Sequence, residues 1–363
     1  MVRINFMGDV MFGELPDSYR RGLKSTLVRR GIDPFEHVKG VLQGADANVI
    51  NLECVLSDSS IHSKPFSEFL ISPERFIDNL AGAHINVANT ANNHTLDHGM
   101  EAFERSLGLL KDHGIAVIGY RRDDYFQEEP VVLELGGRRV GFLGYNISNF
   151  PDDDKRKCVD RILGIIKGVR SSLHTLVVSM HWGEEHTNIP PPYVVRFGKD
   201  ILEAGCDILH GHHSHQIQGV IRDGGRIFAP SLGNFIFDLK IETCRITAVL
   251  KTKIEDGDVS FEYPAFYMND LYQPVRSPAH DAYVAKITEY VTHSYGEGGA
   301  DAYRDVVMEQ VRAGHATNRV RLRVNMLSHF WDYLPYTRQW LTFILKKPRI
   351  YSVIKSLNDI SKL

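Results

Sequence analysis

Asp9, Glu53, Asn93, His94, His181, His213 and His215 are oxygen and imidazole donors with no thiolate among them, and each falls directly behind a short apolar run. That mixture suits a hard or borderline divalent ion such as Mn, Fe or Zn, not a structural cysteine-rich zinc site. Asp9, Glu53, Asn93, His181, His213 and His215 are more donors than one catalytic ion needs. They match two ions that share a bridging carboxylate. Two such ions about 3.5–4 Å apart activate a bridging water and clamp the oxygens of an in-line phosphoryl displacement. The string "GHHSH" at 211–215 crowds three imidazoles into five residues. On an extended segment His213 and His215 leave one face and His212 the other. On a loop that argument lapses and His212 stays a candidate ligand.

Each residue also has a structural reading when taken alone. Asp9 could close a turn on Gly8, Glu53 could be a surface carboxylate, Asn92-Asn93-His94 could cap a helix, and His181 could pack beside Trp182. Their common address carries the functional reading. "RINFM" (3–7), "ANVINLE" (47–53), "INVANTANNH" (85–94), "TLVVSMHWG" (175–183) and "CDILHGHHSH" (206–215) are each an apolar strand-like run ending in polar residues. In open α/β sheets the residues past the strand C-termini form the ligand crevice.

Helix-like segments separate these runs. "SPERFIDNLAGA" offers Ser72 as N-cap and Pro73 at the first helical position. "MEAFERSLGLLKDHG" places Phe103, Leu107 and Leu110 on one face and stops near Gly114. "VVRFGKDILEAG" groups Phe197, Ile201 and Leu202 and stops at Gly205. "DDDKRK" at 152–157 reads as a solvated loop, and the prolines of "NIPPPYVV" as a rigid pocket rim or a stiff entry to the next helix. Hairpins are expected at Gly224-Gly225 and Asp256-Gly257. The alternation of strands and helices predicts an α+β layered domain over 1–278, with a mainly helical extension over 279–363 packed on it. The stretch at 338–357 mixes Trp340, Phe343, Ile344 and Ile350 with Lys and Arg. It reads as a packing helix, or as a weak contact with an anionic membrane surface.

The 363 residues are 43% hydrophobic and 24% charged, which fits a globular protein with a real core. A formal net charge of -3 gives no basic field of the kind that binds nucleic acid. Cys54, Cys158, Cys206 and Cys244 lack CxxC spacing and favour reduced thiols. No signal peptide and no apolar run of membrane-spanning length is read, so a cytoplasmic location is expected. Cys54 and Cys206 read as small buried fillers.

Six segments in order, "FMGDVMFGE" (6–14), "VINLECVLSD" (49–58), "VANTANNHTLDHG" (87–99), "VVSMHWGEEH" (177–186), "GCDILHGHHSHQIQGV" (205–220) and "SLGNFIFD" (231–238), resemble the motif set of the CapA family, the poly-γ-glutamate capsule synthesis proteins. That family looks like a divergent branch of the calcineurin-like metallophosphoesterases. The resemblance implies a four-layer α/β/β/α sandwich and a site that takes divalent metal ions, two in number. It implies Asp9 as the first metal-binding aspartate and Glu53 in place of the bridging aspartate. Asn93 and His181 would be ligands, and His213 and His215 the closing pair. His94 would contact the scissile phosphate and act as general acid, with Asp97 beside it in the catalytic set. Trp182, Glu184, Asn234 and Asp238 recur in the matched segments and would orient imidazoles or shape the pocket, while Asp97 and Asp238 equally suit a helix cap and a strand end. The sequence departs from the superfamily at Met11, where an imidazole is missing, and at the longer Glu53. Those departures leave open whether the first position is weak and the site mononuclear.

Three functions compete on this basis. The first is a phosphoesterase-like metal-dependent hydrolase with a bridging hydroxide, acting on a phosphorylated small molecule or a polyanionic polymer. The second is a non-hydrolytic component of capsule polymer synthesis or export that binds metal and polymer. The third is a scaffold with a decayed site, which the full donor set argues against.

Overall fold

A computed structural model describes residues 1–58, 70–119, 126–255 and 257–297, with short pieces at 312–314, 316, 320–325 and 328–329. The first large sheet comprises β1 (Val2–Val10), β2 (Ala47–Leu52), β5 (Val87–Asn89), β6 (Ala116–Ile118), β13 (Asn234–Ile236), β15 (Leu250–Glu255) and β16 (Asp258–Glu262). In space their order is β16-β15-β1-β2-β5-β6, with β13 also paired to β1. The strands β1, β2, β5, β6 and β13 run parallel, while β15 and β16 form the expected hairpin. The second sheet comprises β7 (Val131–Leu135), β8 (Arg138–Asn146), β9 (Thr175–His181), β10 (Ile208–His212), β11 (Ile221–Asp223) and β12 (Arg226–Ala229). Their order is β11-β12-β10-β9-β8-β7, with β8, β9, β10 and β12 parallel. Small sheets are formed by β14 (Ile246–Ala248), β17 (Ala265–Met268) and β18 (Pro274–Arg276), and by β3 (Val55–Leu56) with β4 (Ile71–Ser72).

Three cores stack these layers. Ile4, Phe6, Val49 and Val87 of the first sheet meet Phe142, Val177 and Ile208 of the second in the central core. Outside the first sheet lie α1 (Leu23–Arg30), α2 (Lys39–Leu42), α3 (Ile77–Gly82) and α4 (Gly99–Asp112), which bury Leu27, Leu42, Leu80 and Leu110. Outside the second lie α5 (Asp152–Val169), α6 (Pro192–Glu203) and α8 (Asp281–Glu297), which bury Ile162, Phe197 and Val284. A short α7 (Glu242–Arg245) precedes β14. The result is the four-layer α/β/β/α sandwich. Strands in the middle of such a stack are covered on both faces, which is why β2 and β9 are buried along their whole length and β1 everywhere but at Arg3.

Several local expectations change. Residues 152–157 are not a loop but the first turns of α5, entered from Pro151, with Asp152, Asp153 and Asp154 in the first turn. Acidic residues there complement the helix N-terminus, and the pairs Lys155–Asp152 and Lys157–Asp154 satisfy the charges. Ser72 ends β4, and the helical path begins with a 3-10 turn at Glu74–Phe76. In α4, Ala102, Phe103, Ser106 and Leu110 are buried and Leu107 is only half-buried. Pro191 and Pro192 start α6, the stiff-entry reading. All four cysteines are free and buried. Among the described residues no helix is long and apolar enough to cross a membrane. The stretch at 338–357 lies outside the described residues.

Candidate metal centre

The parallel strands of both sheets end on the same side. In the first sheet Asp9 pairs in register with Asn51, and Asn51 with Asn89. In the second, Asn146 pairs with His181, and His181 with His212. One row is carboxylate and carboxamide, and the other is mostly imidazole. The packing of the two sheets brings the rows face to face. Backbone crowding at this end demands glycine: a Cβ on Gly8 would lie 1.9 Å from the Gly233 carbonyl oxygen, and one on Gly211 would lie 2.0 Å from that of Pro230.

On the first side, Asp9 and Glu53 are both fully buried. Asn51 Nδ2 donates to Asp9 Oδ1 at 2.8 Å and to Glu53 Oε2 at 3.3 Å. Its Oδ1 accepts from Asn89 Nδ2 at 3.0 Å. The loop after β5 carries Asn92, whose Nδ2 donates to the Leu52 carbonyl at 2.9 Å, and this bond fixes the following Asn93 and His94. His94 Nδ1 stands 2.7 Å from Asp97 Oδ2, and Asn93 Nδ2 stands 3.2 Å from His94 Nε2.

On the second side, His181 Nε2 lies 2.8 Å from Asn93 Oδ1. His213 packs against it with ring centroids 4.8 Å apart. His215 Nδ1 contacts Asn234 Oδ1 at 2.9 Å and Asp9 Oδ2 at 3.4 Å. His212 ends β10, so the three-imidazole string is not extended throughout. His213 and His215 sit at φ 88° and 58°, in the left-handed region that non-glycine residues rarely occupy. The two-residue alternation therefore does not place them; the strained loop does.

A buried orphan tests whether an ion fits. Glu53 Oε1 is buried and accepts no hydrogen bond, and neither does Asp9 Oδ2. Glu53 Oε1 stands 3.9 Å from His94 Nε2, 4.0 Å from His181 Nε2 and 4.0 Å from His215 Nε2. These are too long for hydrogen bonds. Donors around one ion, each about 2.0–2.2 Å from it, stand roughly 3–4 Å from one another. Donor atoms of Asp9, Glu53 and His215 all lie within 4.8 Å of one another. The residues fit a divalent ion.

The electrostatics agree. Burial opposes charge on Asp9, but His212 and His215 outweigh it and hold the carboxyl well below its ordinary range. Burial, with Asp9 close by, pushes Glu53 well above its own. Burial drives His181 well below the ordinary imidazole value and His213 down to about 4, which leaves both rings neutral with lone pairs to offer. Burial also opposes charge on His215, yet Asp9 raises it above the ordinary value.

The structure thus brings Asp9, Glu53, Asn93, His94, His181, His213 and His215 together. Asp97 bonds His94 rather than capping α4, whose N-cap is His98. Asn234 holds His215, and buried Trp182 donates to the Pro230 carbonyl at 3.0 Å. Asp238 accepts from the backbone of Leu15 and Leu23 and from the Ser18 hydroxyl, so it clasps the loop after β1 rather than orienting an imidazole. Glu184 is exposed beyond His181, and desolvation of its carboxyl raises it above the ordinary value. Met11 packs in the core outside the first sheet, away from the centre. Sequence reasoning missed Asn51, Asn89 and His210. The signal was an asparagine at the third place of both "VINLE" and "VANTA", two residues before Glu53 and three before Asn92.

The family described as "Bacterial capsule synthesis protein PGA_cap" matches residues 3–239. The "Capsule biosynthesis protein CapA" of Bacillus anthracis is 27% identical over 275 residues, covering 70% of this chain and 64% of that protein. The "PGA biosynthesis protein CapA" of Bacillus subtilis (strain 168) is 24% identical over 287 residues, covering 76% of this chain and 73% of that protein. The chain thus spans 64% of the length of the first relative. Among solved structures, a hypothetical protein from Thermus thermophilus superposes with a TM-score of 0.46 at 14% identity, covering 73% of this chain and 99% of that one.

Proposed function

The chain belongs to the PGA_cap family of bacterial capsule synthesis proteins, and from that premise we propose that it is a metal-dependent hydrolase of the phosphoesterase type. The supporting observation is Glu53 Oε1, buried, unbonded and about equally far from the three imidazole nitrogens. Asp9, Glu53 and His215 would hold one divalent ion, and Glu53, Asn93, His181 and His213 a second. Such ions, as Mn, Fe or Zn, would supply Lewis acidity toward a phosphoryl oxygen and a water of lowered pKa. The protein's own groups do the rest. Asp97 accepts the Nδ1 proton of His94 and fixes the ring, so Nε2 faces the reacting centre. With a second proton on Nε2, His94 would donate to a phosphoryl oxygen or pass that proton to the leaving oxygen, returning to the neutral ring. The buried walls keep bulk water out and strengthen each of these contacts. The substrate class we propose is a phosphorylated small molecule or a polyanionic polymer.

The test is hydrolysis of p-nitrophenyl phosphate and bis-p-nitrophenyl phosphate by protein of verified Mn, Fe or Zn content. Turnover that depends on the metal is expected. Absence of turnover across a panel of phosphate esters overturns the proposal. The names of the two Bacillus relatives favour a second reading, a component that binds metal and polymer without hydrolysis. Tight binding of poly-γ-glutamate with no product released would select it.

A further inference from the structure

We infer that His210 and His212 form a buried orienting chain behind Asp9, so that His212 acts through the aspartate and is not itself a metal ligand. This rests on the metal-binding reading above. His210 and His212 are two apart on β10, so both point between the sheets toward β1. Both are fully buried. His212 Nδ1 lies 2.8 Å from Asp9 Oδ1. The contact is at ion-pair distance but lacks the angle of a directed hydrogen bond. His212 Nε2 lies 3.1 Å from His210 Nδ1. Nε2 of His212 is thus taken by His210, and Nδ1 faces the Asp9 carboxylate at contact distance.

The proton positions follow from the partners. A carboxylate only accepts, so His212 Nδ1 carries hydrogen toward Asp9. A neutral His212 then has its lone pair on Nε2, which accepts from His210 Nδ1–H. The remaining His210 Nε2 is buried with no partner, and the His210 ring packs against Phe6 at 4.8 Å. A buried nitrogen without a partner is destabilising, because it gives up its hydrogen bonds to water and gains none. An apolar ring would fill this slot without that cost, so the one bond His210 makes is the reason for an imidazole there. The chain sets which oxygen of Asp9 is spoken for. Asn51 and His212 both address Oδ1, and Oδ2 is left facing His215 and the centre.

The experiment is a Mn2+ titration by calorimetry of wild type, His212→Ala, His212→Asn, His210→Phe, His210→Asn and the double variant His210→Phe/His212→Asn, with folding checked by circular dichroism. An asparagine keeps a donor near the Nδ1 position of the histidine it replaces. His212→Ala is expected to weaken one Mn2+ equivalent about 10–100-fold, without removing it, and His212→Asn to recover most of that loss. His210→Phe is expected to weaken binding on the wild-type background and to add nothing on the His212→Asn background, where the chain is already cut. His210→Asn is expected to bind like wild type. Folded His212→Ala that binds as well as wild type overturns the inference. So does loss of a whole equivalent, as for removal of His215, which would make His212 a ligand. Wild type that takes up no Mn2+ overturns the metal reading itself and this inference with it.

Discussion

The two sheet ends that meet at the centre hold their side chains in opposite ways. The first-sheet end supplies two carboxyl groups, Asp9 and Glu53, gripped by the neutral amide of Asn51, which Asn89 holds in turn. The second-sheet end supplies rings that burial keeps neutral at His181, His210 and His213, gripped by one another and by Asn234. A cation needs both: charge to attract it and lone pairs to direct it. Neither sheet alone makes the site, since the rows face each other only when the central core of Phe6, Val49, Val177 and Ile208 is packed. The substitution that should cut deepest is therefore the one reaching both halves. Glu53→Ala is expected to lower affinity at both positions by more than about 100-fold, beyond what loss of an outer partner costs, and to reduce phosphatase turnover to background. His181→Ala should spare the Asp9–Glu53–His215 side. Elemental analysis and Mn2+ titration decide; two tightly bound ions in Glu53→Ala would dissolve the comparison.

Removal of His94 separates chemistry from binding. It stands at the seam, bonded to Asp97 and 3.9 Å from Glu53. His94→Asn is expected to lower kcat by about 10²–10⁴, the range for loss of a general acid or base, with metal content unchanged. Asp97→Asn should cost less, because it disturbs only the ring's orientation. Equal loss of metal in His94→Asn would make it a ligand and move it into the imidazole half.

The amide grip comes next. Asn51→Leu removes the donor to both buried carboxylates and leaves Asn89 Nδ2 with only its 3.4 Å bond to the Ala91 carbonyl. Orphaned buried groups cost about 1–3 kcal/mol each, so a lowered Tm is expected together with Mn2+ affinity weakened about tenfold. Unchanged Tm and affinity would show that the carboxylates need no amide support.

Much of this centre could be read in the chain because strand ends announce themselves. An apolar run that stops at Asp9, Glu53, His181 or the histidine string is visible in one dimension. The four-layer stack follows from strands apolar on both faces. What could not be read depends on partners distant in sequence. Asn51 matters through Asp9, 42 positions away. His212 matters through Asp9 across the gap between sheets, and no local pattern encodes that gap. His213 and His215 share the site through left-handed backbone, not through strand alternation. The acidic start of α5 read as a loop because charge density masks a helix entry that Pro151 and the first-turn aspartates define.

The smallest expected effect is the pH response of the metal-free protein, and it distinguishes the halves by sign. An imidazole with a depressed value is neutral when folded but takes a proton near 6.5 when unfolded. For His213 the unfolded chain thus binds more protons between pH 6.5 and about 4. Stability rises with pH wherever that holds, so the stability present above 6.5 is lost as pH falls toward about 4. His181 and His210 add the same sign. Glu53 and His215, both raised, have the opposite one: their contribution is present at low pH and lost as pH rises. Asp238, raised to about 7, and the raised Asp17, Glu184 and Asp207 share that opposite sign, so the His213 contribution is read as the difference between wild type and a His213 variant, and that contribution is expected to fall on acidification across the window. His213→Asn should flatten the fall by up to about 1 kcal/mol, less than the full value of the shift because the ring is partly exposed. Thermal unfolding of both proteins in metal-free buffers from pH 7 to pH 4 gives the answer. A His213→Asn protein whose Tm follows pH as that of wild type does would mean that this ring contributes nothing to how the centre responds to protons.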